Sequence, residues 1–141
     1  MKAFLALVTV GLFLVGCTKI AGDYAGTLTE SSTIITVQNG RMTSTGGGVA
    51  ATGATLRVER AGDKLKVLVK GCTILFTGND RNAEADAGQM CRLSVKGYEG
   101  MTAVTGNLTR EGRWLNAVVS FAATESGTSG AHAVTFSGTA K

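Results

Sequence analysis

Three cysteines and a single histidine carry the most reactive side chains of this chain. Cys17 ends an uncharged run that begins at Ala3, and it comes directly after the small residue Gly16. With Lys2 before it, a run of that length is typical of a secretion signal and is too short for a permanent transmembrane helix. Because a cysteine thiolate is a nucleophile, this position predicts covalent modification of Cys17 during export.

Leu14, Val15, Gly16 and Cys17 resemble the lipobox of bacterial lipoproteins. The resemblance implies that residues 1–16 are a signal peptide that is removed and that Cys17 takes a diacylglyceryl group as a thioether. The small Gly16 would give a peptidase access to the bond before the cysteine. Two or three acyl chains hold a protein stably, whereas one is marginal. The implied partner of Cys17 is therefore the lipid bilayer.

The residue directly after Cys17 indicates the expected location in the cell envelope. In the enteric sorting rule for such lipoproteins, an Asp directly after the lipidated cysteine retains the protein at the inner membrane, whereas a Thr such as Thr18 does not. The outer membrane is therefore expected, with the periplasmic or the outer face left open. Residues 17–22 form a short lipidated tether that places the following domain, residues 23–141, close to the bilayer. That length suits one domain with a single core.

Cys72 and Cys91 are the two thiols left once Cys17 is lipidated. In an oxidising compartment such a pair is expected to form a disulfide, and closing this loop contributes about 3 kcal/mol in the chain-entropy model. With no nearby histidine and no Cys-x-x-Cys spacing, neither a zinc site nor a redox centre is indicated. We expect no metal and no cofactor.

Catalytic and cation-binding groups are sparse. His132 and Ser129 lie close in sequence but lack the spacing of a nucleophile elbow, so His132 is interpreted as a strand-end histidine beside a polar turn. Glu84, Asp86 and Asp80 could offer oxygen ligands to Ca²⁺, although a solvated edge is favoured. The sequence therefore does not predict an enzyme.

Trp114, flanked by Arg113 and Arg110, is the best candidate for a partner contact. Packing of Trp114 under a loop is the alternative and is favoured over the partner contact, and Tyr24 and Tyr98 could extend an aromatic surface. The 14 basic and 10 acidic residues give a net charge of +4, without a long run of one sign. Such a mild excess is more typical of a solvated exterior than of nucleic-acid binding, and no nucleic-acid partner is expected.

Hydrophobic residues alternate at period two after Tyr24, which indicates strands. In the clearest hairpin Leu115, Ala117, Val119 and Phe121 share one face, the expected core side, while Trp114 and Val118 share the other. A second hairpin joins residues 56–60 to 64–70. The predicted strands are 22–30, 33–45, 50–60, 63–70, 73–78, 82–86, 91–97, 101–109, 113–123 and 131–140.

Even spacing of strands and turns favours an all-β fold, namely a small antiparallel up-and-down β-barrel of eight to ten strands, with a two-sheet β-sandwich as the alternative. Glu30-Ser31-Ser32 and Asn39-Gly40 are interpreted as breaks in the strand pattern, although Asn39-Gly40 falls within the strand predicted at 33–45. The glycine-rich segment 43–53 is either a bent or bulged strand or a mobile loop.

The segments Gly71–Thr77, Asn82–Ala85 and Gly88–Cys91 resemble a pattern in small Gly/Thr-rich lipoproteins of myxobacteria. A Tyr-Gly strand after the lipobox and a closing strand at residues 136–140 belong to the same pattern. The resemblance implies an all-β domain with a disulfide, and it implies no activity because that family is largely uncharacterised.

The expected function is a non-enzymatic binding or scaffold role in the cell envelope, with an envelope protein as a possible partner. One alternative is a carrier of a small apolar ligand inside the barrel, since an eight-stranded barrel can hold one. The other is an inhibitor or contact-dependent effector of another protein.

Overall fold

The computed structural model describes residues 19–141, whose regular structure consists of nine β-strands without a helix. Residues 1–18, and with them Cys17 and the signal peptide, lie outside the described residues. The strands are β1 (Gly22–Gln38), β2 (Arg41–Ala61), β3 (Lys64–Val69), β4 (Cys72–Gly78), β5 (Asn82–Ala85), β6 (Met90–Val95), β7 (Tyr98–Glu111), β8 (Trp114–Ala123) and β9 (Thr128–Ala140).

Eight of these strands close into an antiparallel barrel. The first and last strands, β1 and β9, pair without a break from Tyr24–Ala140 to Thr36–Thr128. The second closing contact is the pairing of β5 with β7, which completes the ring in the order β1-β2-β3-β4-β5-β7-β8-β9. Strand β6 pairs only with the first half of β7 among the described strands. The barrel prediction is confirmed.

Period-two alternation fills the interior with one face of each strand. Leu115, Ala117, Val119 and Phe121 are buried on β8, while Trp114 and Val118 are exposed, as the sequence predicted. Each fully buried Leu, Val or Phe contributes about 1.5–3 kcal/mol relative to an exposed one. The largest fully buried side chains are Tyr24, Phe76, Phe121 and Phe136.

The barrel interior is almost completely filled. The apolar void at its centre, lined by side chains such as Leu108, Val119 and Phe136, has a volume of about 10 Å³. A space of that size holds about one water-sized probe. Close packing of the core therefore leaves no space for a further apolar molecule in this conformation.

The hairpin β1–β2 differs from the sequence prediction at two places. The single strand predicted at 33–45 is wrong, whereas the break predicted at Asn39-Gly40 is confirmed. These two residues form a turn in which both have positive φ, 51° and 73°. Asn-Gly is the preferred pair for such turns. The break predicted at Glu30-Ser31-Ser32 is also wrong, since these residues pair with β2 and β9 and lie inside β1.

A bulge bends β2 in the glycine-rich segment. The pairing shifts by one residue between Glu30–Ala50 and Ser32–Gly47, so that Gly48 and Val49 together oppose Ser31. Bulges increase local twist and bend the strand. The segment 43–53 is therefore a bulged strand, one of the two possibilities that the sequence left open. Beyond the bulge, residues 41–47 of β2 pair only with β1 among the described strands, and this part of the hairpin is called the β1–β2 extension.

The β1–β2 extension rests on the turn between β6 and β7. A Cβ atom at Gly97 would lie 2.5 Å from Cγ2 of Thr45, and Gly97 has a φ of 83°. Only glycine accommodates both the close approach and the positive φ without strain.

Strands β4 and β6 face each other across a seam without ladder pairing. The disulfide Cys72–Cys91 crosses it with a Cα–Cα distance of 6.1 Å. Beside the disulfide, the Gln89 side chain replaces the missing backbone bonds. Its Oε1 accepts a hydrogen bond from the Leu75 N–H at 2.9 Å, and its Nε2 donates to the Leu75 carbonyl at 2.8 Å and to the Asp86 carbonyl at 3.1 Å.

We expect Gln89→Leu to lower the free energy of unfolding by about 1–3 kcal/mol, because it leaves the Leu75 N–H without its partner in a half-buried seam. The Leu75 carbonyl loses one of two hydrogen bonds and keeps the one from the Asp86 N–H. Gln38→Leu is the matched control, since Gln38 is exposed at the end of β1. Urea unfolding of the oxidised proteins measures both. Equal unfolding energies for Gln89→Leu and the original chain would show that the disulfide alone closes the seam.

Candidate binding site at one end of the barrel

The two ends of the barrel differ in structure. At the N-terminal end the chain enters through Lys19 and Ile20, beside the β2–β3 and β7–β8 turns. The opposite end carries the β3–β4 turn, the β6–β7 turn and the β1–β2 extension, and it is called the cleft end because a cleft opens there. Because β1 runs from the N-terminal end to the cleft end, the cleft end is remote from the point where the chain enters.

An open cleft of about 610 Å³ lies at the cleft end. Its walls are the glycine-rich part of β2, the β3–β4 turn at Lys70 and the end of β6 at Ser94 and Lys96. Glu30, Ser32 and His132 also line it, from the inward faces of β1 and β9. The cleft therefore places charged and hydroxyl-bearing side chains above an apolar core.

Glu30, Lys70 and His132 form an ionic cluster in this cleft. Lys70 donates to both carboxylate oxygens of Glu30, at 2.9 and 2.7 Å, and Nε2 of His132 lies 3.1 Å from Oε2. Pairing of Ser32 with His132 across β1 and β9 places Glu30 diagonally opposite the imidazole. The Lys70 hydrogen bond lowers the pKa of Glu30 below its ordinary 4.5, helped by the positive charge of Lys70 and opposed by burial.

His132 is only 5% exposed, so its interpretation as a strand-end histidine beside a polar turn is wrong. β9 begins four residues earlier and its pairing with β1 carries His132 inside the barrel wall. Because an ionised carboxylate can only accept, Nε2 of His132 donates to Glu30. Within residues 19–141, Nδ1 and the Ser32 hydroxyl are buried without a hydrogen-bond partner. An unsatisfied buried polar atom costs about 1–3 kcal/mol.

The structure does not bring Ser129 and His132 together as the catalytic pair considered from the sequence. Ser129 is exposed on the opposite face of β9. His132 instead contacts Glu30, whose carboxylate accepts hydrogen bonds from Lys70. The cluster can therefore bind and orient polar groups, whereas the Ser129–His132 pair is not formed.

One edge of β2 borders the cleft and is largely unpaired. Its other edge is paired to β1, whereas among the described strands β3 pairs with it only from Val58 to Ala61. No charged residue occurs from Met42 to Leu56. Exposed edges usually carry charges, prolines or covering segments that prevent pairing with other chains. This edge has a bulge but no charge, and it was not identified from the sequence.

The three carboxylates considered for Ca²⁺ do not converge. Asp80 pairs with Arg60 at 3.3 Å, and Asp86 pairs with Lys64 and accepts from the Thr77 hydroxyl at 2.6 Å. Glu84 is exposed on β5. In the part of the chain that the structure describes, no three potential ligands form a metal-binding group.

The predicted contact residues Trp114, Arg113 and Arg110 lie at the N-terminal end. Trp114 is 56% exposed, so its packing under a loop is wrong. Arg113 donates to the Ala140 carbonyl at 3.0 Å. Arg110 is half-buried over the Tyr24 ring, 5.7 Å from its centre, and donates to the Lys19 carbonyl. Tyr24 and Tyr98 are buried, so the extension of an aromatic surface to them is wrong.

We expect Glu30→Gln to lower the free energy of unfolding at pH 7 by about 1–3 kcal/mol, because Lys70 and His132 lose a charged acceptor. The pKa of Glu30 is lowered by folding, so this stabilisation is fully present above pH 4.5 and is lost as the pH falls through the lowered pKa. Urea unfolding over a pH series measures it. Glu59→Gln, which removes an exposed pair with Lys66, should have a smaller effect. If the difference in unfolding free energy between Glu30→Gln and the original chain did not shrink at low pH, the stabilising role assigned to the Glu30 carboxylate would be contradicted.

Comparisons of the chain with protein-family models, with curated proteins and with solved structures found no match to any of them. Among residues 19–141, no helix is long and apolar enough to cross a membrane. The site is therefore interpreted from its own geometry.

Proposed function

We propose that this protein is a lipid-anchored lipoprotein of the outer membrane with a non-enzymatic binding role in the cell envelope. Support for the anchor comes from the sequence Leu14-Val15-Gly16-Cys17, and support for the outer membrane comes from Thr18. The binding surface in this proposal is the cleft together with the unpaired edge of β2.

One observation carries the proposal: the cleft and the chain entrance lie at opposite ends of the barrel. A domain held through Cys17 then directs its N-terminal end towards the membrane and its cleft away from it. Such an orientation gives a partner free access to the cleft.

The chemistry of the cleft favours an extended polypeptide segment as the ligand. A free strand edge binds such a segment through main-chain hydrogen bonds, as in β-strand addition. The uncharged side chains from Met42 to Leu56 present no repulsion to it. Lys70 neutralises Glu30, and the exposed Lys96 adds a positive charge, so a segment with an acidic side chain is favoured.

The packed interior supports this choice over the apolar carrier. A void of about 10 Å³ is far smaller than the ligand sites of a few hundred Å³ that small molecules occupy. The cleft is the larger space, and it is open and lined in part by polar side chains.

The anchor is tested by metabolic labelling with palmitate followed by membrane fractionation. We expect the original chain to carry the label and to sediment with the outer membrane. Cys17→Ser should lose both properties. An unlabelled original chain that is recovered in the soluble fraction would contradict the lipid anchor.

The binding surface is tested by site-specific photo-crosslinking in intact cells. We expect a photoreactive residue at Ser44, which is exposed in the cleft, to capture a protein. Thr52→Lys on the β2 edge should abolish the adduct, because an edge lysine opposes pairing with another strand. Thr105→Lys, on the exposed face of β7, is the matched control and should leave the adduct unchanged. An adduct that survives Thr52→Lys would contradict strand addition.

A further inference from the structure

The N-terminal end of the barrel combines an exposed tryptophan with an excess of basic side chains. Trp114 begins β8 and is 56% exposed. Among the described residues, the exposed basic side chains at this end that lie outside salt bridges are Lys19, Arg81, Arg113 and Lys141. Among the described residues, none of these four is in a salt bridge, as the pairs at this end involve Arg57, Arg60 and Lys64 instead.

Acidic groups at the same end do not balance this charge. Asp23 and Asp80 are neutralised by Arg57 and Arg60. Glu111 and Asp63 are the exposed acidic residues that remain in the described turns of this end. Backbone contacts bring the basic residues into one surface, because the Arg110 N–H donates to the Arg81 carbonyl at 2.7 Å and the Lys141 N–H donates to the Asp23 carbonyl at 3.0 Å.

The chain is held against this end of the barrel from Lys19 onward. Ile20 is 1% exposed, and its carbonyl accepts a hydrogen bond from the Tyr24 hydroxyl at 2.6 Å. The Lys19 carbonyl accepts from Arg110. Cys17 is two residues before Lys19, and two residues of extended chain reach at most about 7 Å. An acyl group on Cys17 is thus constrained to lie next to this surface.

We infer that the N-terminal end of the barrel is a membrane-contact surface that rests on the bilayer holding the anchor. Trp114 then lies in the headgroup region, and Arg81 and Arg113 bind the phosphates of anionic phospholipids. The inference rests on the proposed lipidation of Cys17, and it adds which face meets the membrane and which side chains make the contact.

The side-chain chemistry fits this environment. A tryptophan has a large apolar ring and one N–H donor, so it is favoured at the boundary between headgroups and acyl chains. A guanidinium group binds phosphate oxygens through two parallel hydrogen bonds. Anionic lipid surfaces attract basic residues within a Debye length of the headgroups. A rigid barrel with three such contacts beside its anchor is fixed in orientation, with the cleft directed away from the bilayer.

The single tryptophan of the chain allows a direct test. The acylated full-length product is reconstituted in vesicles of phosphatidylethanolamine and phosphatidylglycerol whose lipids carry bromine near the headgroup, bromine deep in the acyl chain, or no bromine. We expect Trp114 emission to shift to shorter wavelength, to lose accessibility to acrylamide relative to protein in solution, and to be quenched most by bromine near the headgroup.

Charge variants test the contribution of the arginines. Arg81→Glu combined with Arg113→Glu should reduce the quenching and restore acrylamide access, while acylation, measured by mass spectrometry, is unchanged. Lys96→Glu, an exposed charge reversal at the cleft end, is the matched control and should leave Trp114 unaffected. High salt should weaken the contact of the original protein in the same direction as the double variant.

The outcomes separate the two proposals. An original chain without an acyl group on Cys17 overturns both of them. An acylated protein whose Trp114 stays accessible to acrylamide and is not quenched by brominated lipid overturns the membrane-contact surface alone. Equal quenching of the double arginine variant and the original protein also overturns the assigned role of Arg81 and Arg113.

Discussion

Pairing of β1 on both of its edges is the constraint on which the rest of the structure depends. The strand is hydrogen-bonded to β9 without interruption and to β2 across one bulge. Its first residues hold Tyr24 against Ile20 and Arg110, and its middle residues place Glu30 and Ser32 beside His132. One strand therefore fixes the positions of the chain entrance and the cleft relative to each other.

The polar cluster at the cleft end is a poor device for stability alone. Removing an ion pair from water carries a desolvation penalty, and a well-packed apolar replacement is often equally stable or more stable. Here the cluster also leaves His132 Nδ1 and Ser32 Oγ without partners in the described chain. In the proposed binding role, these buried groups are the ones available to hydrogen-bond a polar ligand.

The architecture was predictable because it follows from local patterns. Alternation in segments such as Leu115–Phe121 defines the inward face, and turn residues such as Asn39-Gly40 define where a strand reverses. The candidate site was less predictable, because it depends on contacts between residues far apart in sequence. Glu30, Lys70 and His132 meet only once the barrel closes. The polar Glu30-Ser31-Ser32 segment imitates a turn, and only pairing on both edges holds it extended. Trp114 lies beside the chain entrance because of the direction of β8 and the closure of the barrel. The arginines next to it in sequence do not indicate this location.

The uncharged edge of β2 has a consequence for copies of the protein themselves. Two such edges are complementary to each other in an antiparallel arrangement, since each offers free N–H and carbonyl groups. If the protein is anchored as proposed, confinement to a plane raises the effective concentration of these edges, and self-pairing then competes with capture of another chain. Under that proposal, the surface density of the protein sets how many edges are free for a partner.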